Sequence, residues 1–389
     1  MPHEAGESLC LRQKLQAVKI IFIIDSLRRH GAQRFLTYLV RGLSKLGHVQ
    51  EVIVLNRARD SDIEEALSAA RCAVTYIGKF ALLLGGAGWW RLVAMLRRAR
   101  PDVVMTMLDF ADTLGRPAAR LAGRGRLVTS IQVRNLVKSA WQRWLDRKTV
   151  PWADKIIFNS GQIVKHAREK EGVRENQVVI IPNGVEDLRT RSGALRIDSR
   201  RQLGLGRTTV LLGIVARLYP QKNLSLFLRA LAKLSTLQEW KALVVGDGPE
   251  RRQLLALTEE LRLTDRVIWL GARTDVEAWL AAMDVFVHTS DFEGMPNAVM
   301  EAMAMGLPVV ASAVDGTREL IEDGVSGYLL PPGDVDAFAE RIRELMEDSH
   351  LAHQLGEKAY RHVLERFGMA RMIEAYNELF LSLVDSKSA

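Results

Sequence analysis

The chain carries only two cysteines in 389 residues, Cys10 and Cys72, and neither stands at metal-ligand spacing from another cysteine or a histidine. That excludes a disulfide framework and a structural zinc module, and it points to free thiols in a reducing cytoplasm. Long apolar runs are also missing: none reaches the ~18–20 residues of a membrane-spanning helix. The opening MPHEAGESLCLRQKLQAVKIIFIID lacks the layout of a signal peptide, because its first apolar run is broken by Lys19 and closed by Asp25. No zinc-finger, RRM or helix-turn-helix pattern is present, so nucleic acid is the weaker partner class. What is present is ordinary globular material, 48% hydrophobic and 26% charged, with enough length for two domains that each bury a core.

The charge is unevenly divided. Residues 1–190 hold 31 Lys+Arg against 18 Asp+Glu, whereas residues 191–389 hold 23 against 28. A basic first half beside a mildly acidic second half points to an anionic surface or an acidic ligand on the first. Two clusters sharpen this. Trp89 and Trp90 run into Arg91, Arg97, Arg98 and Arg100, and Trp141 and Trp144 lie among Arg143, Arg147 and Lys148. Tryptophan at headgroup depth with arginine toward anionic lipid is one reading; core tryptophan with a solvated basic edge is the other.

Along the chain, apolar runs typical of buried parallel strands alternate with helical periodicity. Val18–Asp25 reads as the first strand, about Ala32–Leu46 as a helix ended by Gly47, and Glu51–Asn56 as the second strand, a βαβ unit. Strands follow at Pro101–Met105, Arg126–Ile131, Lys155–Asn159 and Val178–Asn183, with a helix near Ala111–Leu121. Residues 186–206 read as linker plus a short helix. The alternation then restarts with strands at Val210–Val215, Ala242–Gly248 and Val267–Gly271, and a helical tail is expected over about Arg366–Val384.

The second half is organised around Asp291–Ser312, DFEGMPNAVMEAMAMGLPVVAS. A loop leads to Pro296, whose fixed φ suits a helix start, and the helix runs from about Asn297 to Met305 before Gly306 stops it. Backbone amides at such a start form an anion site, and phosphate is the usual anion. Glu301 lies in a helix that is apolar nearly all round, so its carboxylate needs a partner such as a ligand hydroxyl pair.

The string E-G-x-P-x-x-x-x-E followed by A-M-A-x-G-x-P-V-V-A-S closely resembles the Glu-x7-Glu signature of glycosyltransferase family 4, retaining enzymes that use nucleotide-activated sugars. The resemblance implies an α/β chain of the GT-B fold, two doubly wound Rossmann-like domains facing a cleft. Residues 1–186 would bind acceptor, completed by a helix over 370–389 that crosses back, and residues 187–369 would bind the nucleotide sugar. It assigns Arg217, Lys222 and Glu293 to catalysis. Donor contacts fall to Arg217, Lys222, Gly271, Glu293, Met295, Pro296, Asn297 and Glu301, and the acceptor side to Gly31, Gln132, Arg134 and Asn135. The chain departs from the family pattern at His30 and Gln33, at Gln132 where relatives carry a histidine, and at Asp315 in place of the first glycine of a "GG…E" turn.

The implied reaction moves a sugar from a nucleotide-diphosphate donor to a hydroxyl of a glycan or lipid-linked acceptor, in lipopolysaccharide or other surface polysaccharide assembly. The Asp-x-Asp motif of metal-dependent sugar transferases reads as absent, so no metal and no other cofactor is expected, and the setting would be cytoplasmic, peripheral on the inner face of the plasma membrane. Three other functions fit the same architecture: a phosphorylase needing lysine-bound pyridoxal phosphate, a nucleotide-sugar epimerase or hydrolase, and a non-catalytic glycan- or lipid-binding subunit.

Overall fold

The computed structural model describes residues 17–28, 31–78, 86–131, 140–234 and 239–386. Two compact units emerge, Met1–Asn183 with Ala370–Ala389, and Gly184–Met369.

The first unit is built on seven parallel strands, β1 (Lys19–Ile24), β2 (Val49–Val54), β3 (Ala73–Tyr76), β4 (Val103–Met107), β5 (Arg126–Ile131), β6 (Lys155–Phe158) and β7 (Val178–Ile180), in the order β3-β2-β1-β4-β5-β6-β7. Central β1 is buried from Ile20 to Ile24, which is why its sequence is continuously apolar instead of alternating. Helix Gly31–Lys45 covers it with Phe35, Leu36, Leu39, Val40 and Leu43, the helical spacing read from the sequence. Helix Ser61–Ala69 and strand β3 were not legible. The helix buries only Ile63 and Leu67, and the strand is four residues long.

One expected helix differs in form. The segment expected as a helix over Ala111–Leu121 starts with a π-helical turn, Ala111–Gly115, and becomes α-helical over Arg116–Ala122. A buried charge cluster sits there. The Arg116 guanidinium lies 3.6 Å from the Asp112 carboxylate and 3.3 Å from that of Asp146, and it donates to Thr149 Oγ1 at 3.0 Å. The helical tail expected over about Arg366–Val384 is helix Met369–Asp385, separated by a break at Gly368 from helix Ser349–Phe367. The break has a backbone cause: Val185 donates to the Phe367 carbonyl and accepts from the Met369 amide, drawing Gly368 into a strand-like bridge. Beyond it, Tyr376 packs on Phe35 at 5.8 Å between ring centroids, and Asn377 meets His48 at 2.7 Å. The terminal helix thus completes the first unit.

The second unit holds β8 (Val210–Val215), β9 (Trp240–Val245), β10 (Val267–Gly271), β11 (Val285–His288), β12 (Val309–Ser312) and β13 (Tyr328–Leu330), all parallel, in the order β10-β9-β8-β11-β12-β13. The short helix expected within residues 186–206 is Ser192–Gln202. Its hold is ionic, which explains the missing apolar run. Arg196 donates to the carbonyls of Ala281, Ala282 and Met283, at the C-terminal end of helix Val276–Ala282, and Arg196 and Arg200 both grip Asp284. Among the described residues no helix is long and apolar enough to cross a membrane.

Candidate functional site

In an open parallel sheet, ligands bind beyond the carboxyl ends of the strands where the strand order reverses. In the second unit that point lies between β8 and β11. The loop after β8 carries Arg217 and Lys222, and the loop after β11 carries Glu293.

Glycine fixes the first loop. Gly246 has φ +144°, and a Cβ there would lie 1.8 Å from the Ala216 carbonyl oxygen; one at Gly248 would lie 2.5 Å from that of Leu218. The close approach lets the Leu218 amide donate to the Asp247 carbonyl at 3.0 Å and the Glu250 amide to the Leu218 carbonyl at 3.1 Å. Arg217 emerges exposed from this clamped turn, with its guanidinium 5.2 Å from the centre of the Tyr219 ring. Gly271, left-handed at φ +71°, closes β10 and accepts from the Gly246 amide at 2.8 Å. Arg273 beyond it is taken up by Asp275 in a two-pronged pair.

Four hydrogen bonds tie the two loops together. Asn223, left-handed at φ +45°, caps helix Leu224–Ala232 and donates its amide to Asp291 Oδ1 at 2.9 Å. The Asp291 amide donates to the Gln221 carbonyl at 2.9 Å, Gln221 Nε2 to the Phe292 carbonyl at 2.7 Å, and Thr289 Oγ1 to the Lys222 carbonyl at 2.9 Å. The result is a half-buried ion pair between the Lys222 ammonium and Glu293 Oε1. Ser290 Oγ donates to the same oxygen at 2.8 Å, and His288 Nε2 stands 3.4 Å from it. Burial alone would raise the pKa of the Glu293 carboxylate, but His288 and Lys222 outweigh it and hold the group down to about 2. Burial pushes His288 the other way, below the usual histidine value, and Lys222 adds to this while Glu293 opposes it.

Met295 is buried, and Pro296 stands at the N-cap of helix Asn297–Ala304. That helix buries Val299, Met300 and Ala302–Ala304, but Asn297, Ala298 and Glu301 form a half-exposed strip. Its sequence reads as apolar nearly all round; the structure leaves one open face, where Asn297 and Glu301 sit one turn apart. The Gly294 carbonyl rests on Gly316, where a Cβ would lie 2.0 Å away. The glycine this contact requires is therefore the second of the turn, and Asp315 beside it is tolerated.

In the first unit the strand order reverses between β1 and β4. Asp25 follows β1 and accepts from the amides of Ala111 and Phe110 at 2.6 and 3.2 Å. Burial pushes its pKa up to about 6, the two amides oppose this and Asp109 adds to it. Gly31 opens helix Gly31–Lys45 and is exposed, and Gln33 is buried and donates to the Ser26 carbonyl at 3.0 Å. Gln132, Arg134 and Asn135 lie outside the described residues. Of the two tryptophan clusters, Trp89 is not at the surface. It is buried and donates to the Leu114 carbonyl at 3.2 Å, while Trp90 is exposed. Trp141 and Trp144 are 53% and 63% exposed on helix Ala140–Thr149, whose inner face carries Asp146 and Thr149 to Arg116.

Two Asp-x-Asp triplets do occur, Asp60–Asp62 and Asp334–Asp336, both at helix starts. Asp334 caps helix Val335–Glu347 through the Ala337 amide, and Asp336 pairs with Lys233. Among the described residues no group of three or more His, Cys, Asp or Glu could hold a metal ion. His288 and Ser290 carry no motif of their own in the sequence; their place five and three residues before Glu293, at the end of an apolar run, is the available signal.

A family model described as "Glycosyl transferases group 1" matches residues 196–362, and one described as "Glycosyltransferase Family 4" matches residues 29–189. The chain is 28% identical over 309 residues to the UDP-Gal:alpha-D-GlcNAc-diphosphoundecaprenol alpha-1,3-galactosyltransferase of Escherichia coli, covering 76% of this chain and 79% of that protein. It is 26% identical over 357 residues to the lipopolysaccharide core biosynthesis glycosyltransferase LpsE of Rhizobium meliloti, covering 90% and 96%. Among solved structures it is similar to Anabaena HepE in complex with UDP and glucose, with a TM-score of 0.81, 25% identity, and coverage of 94% and 100%. The chain belongs to the family 4 type of glycosyltransferases, and its two Rossmann-like units are those of the GT-B fold. It is a glycosyltransferase.

Proposed function

We propose that the protein transfers a sugar, with retention of anomeric configuration and without a metal ion or other cofactor, from a nucleotide-diphosphate sugar to a hydroxyl of a glycan or lipid-linked acceptor in surface polysaccharide or lipopolysaccharide assembly. The observation that carries this is the convergence of Arg217, Lys222 and Glu293 at the β8/β11 switch point, beside the open face of helix Asn297–Ala304.

Two cations on one loop suit a diphosphate whose charge grows as it leaves. The amides beginning at Asn297 add to that stabilisation. Glu293 would meet the sugar hydroxyls, and Glu301, with Asn297 on the same strip, the ribose hydroxyls; Gly271, Met295 and Pro296 shape the pocket backbone. In the transfer, the acceptor oxygen bonds to the anomeric carbon on the face from which the diphosphate oxygen departs. That departing oxygen takes the acceptor's proton, so no covalent nucleophile is needed. The second unit is the donor domain, and the first, with Gly31, Gln132, Arg134 and Asn135, the acceptor domain.

The excess of basic charge in residues 1–190, with Trp90, Trp141 and Trp144 exposed, supports a cytoplasmic protein whose first unit rests on an anionic membrane surface. The test is incubation with a panel of nucleotide sugars, with and without lipid extract, reading nucleotide release and the anomeric configuration of the product. Acceptor-dependent release with retention supports the proposal. Release without acceptor identifies an epimerase or hydrolase, and no release with any donor leaves a non-catalytic subunit.

A further inference from the structure

His288 is 2% exposed at the end of β11, and neither ring nitrogen has a hydrogen-bond partner. Buried polar groups are normally paired. Its Nε2 lies 3.4 Å from Glu293 Oε1, beyond the 2.7–3.2 Å of a formed bond. The reason is on the page. A carboxylate oxygen offers two lone pairs, and those of Oε1 are taken by the Lys222 ammonium and Ser290 Oγ. His288 is the third donor at a two-place acceptor.

We infer that His288 is a positioning residue for Glu293, donating Nε2–H to Oε1 when Lys222 leaves that oxygen for an anionic ligand. This rests on the reading of the second unit as the donor site. Lys222 cannot neutralise a diphosphate and Glu293 together at full strength, so ligand binding breaks the pair. Without a replacement Oε1 would keep only the neutral Ser290 hydroxyl as a donor. His288 Nε2 stands 3.4 Å from Oε1, so a small reorientation of the ring and a closure of a few tenths of an ångström form the bond. Loss of the Lys222 charge, which disfavours a proton on the ring, also makes the imidazole a better donor. The charged neighbours of the ring are Glu293 and Lys222. Glu293 therefore stays fixed toward the sugar while the lysine changes partners.

The decisive experiment is a ligand-free thermal unfolding cycle on the full chain: wild type, His288→Leu, Lys222→Ala and the double variant. In the wild-type background His288→Leu should change Tm little, because removing two unpaired buried nitrogens offsets the loss of the loose 3.4 Å approach to Glu293. In the Lys222→Ala background, where the bond has already formed, it should lower Tm by roughly 2–4 °C, and His288→Gln should recover part of that loss. An equal change in both backgrounds overturns the proposal. If the double variant does not fold, the His288 ring nitrogens of the wild type are followed by NMR during titration with UDP. A hydrogen-bonded Nε2–H developing with occupancy is expected; saturation with no change at the ring overturns the proposal. Absence of binding by UDP, GDP and ADP alike would count against the donor reading; where all four proteins fold, the stability cycle decides the role of His288 without any nucleotide.

Discussion

The Lys222 ammonium and the Glu293 carboxylate, 71 residues apart in the chain, are paired where β8 and β11 lie side by side, with both side chains largely withdrawn from solvent. The pairing depends on strand order and on the hydrogen bonds between the two loops.

A pH dependence follows from the Glu293 carboxylate and the two groups that face it, His288 and Lys222. Glu293 titrates near about 2 in the folded chain against 4.5 unpaired. Its pKa is depressed, so its stabilisation is fully present above about pH 5 and is lost as pH falls from 4.5 toward 2. The difference corresponds to roughly 3 kcal/mol at neutral pH. Denaturant unfolding should find Glu293→Gln less stable than wild type at neutral pH, with the gap closing as the pH is lowered. A gap independent of pH would mean that these groups contribute nothing through charge.

Arg217→Ala and Lys222→Ala should each reduce kcat by about 10²–10³-fold, with a smaller rise in donor KM, because charge on the diphosphate increases in the transition state. Turnover should survive EDTA. Steady-state kinetics that require added Mg²⁺ or Mn²⁺ would remove the metal-free mechanism.

Glu301→Gln should cost ~2–4 kcal/mol in kcat/KM, the loss of a charged acceptor for two hydroxyls in a closed site. Its place on the half-exposed strip means the change should leave the fold intact. Activity within about threefold of wild type would make Glu301 structural.

How much of this the sequence could supply depended on range. The doubly wound pattern was legible because buried parallel strands such as Ile20–Ile24 and Val210–Val215 are continuous apolar runs. The stretch from Asp291 to Ser312 was legible because its turn, helix start and strand each have local chemistry. β3 and β13, four and three residues long, are too short to show a pattern. Helix Ser192–Gln202 was legible only as a short helix without bounds, because arginines bound to carbonyls hold it in place of an apolar stripe. His288 was missed because a histidine ending an apolar run reads as a strand terminus. Its nearness to Glu293 oxygen already filled by Lys222 exists only once β8 and β11 are neighbours.

Trp141 and Trp144 test the membrane proposal more cleanly than the arginines after Trp90, since Arg97 donates to the Leu121 carbonyl. The protein should bind phosphatidylglycerol vesicles at low salt, several-fold less at high salt as the Debye length shortens. Trp141→Ser with Trp144→Ser should weaken binding without lowering Tm. Equal binding to neutral lipid, or none at low salt, would assign the charge to an acidic soluble acceptor.

The central claim is that the β8/β11 switch point of the second unit holds a nucleoside diphosphate through Arg217 and Lys222. Thermal shift of the wild type against UDP, GDP and ADP in EDTA, repeated on Arg217→Ala, tests it most directly, because a bound ligand stabilises in proportion to its occupancy. One of the three nucleotides should raise Tm in a saturable way, and Arg217→Ala should require at least about tenfold more of it for the same shift. No shift with any of them, or an equal shift in the variant, would contradict the claim.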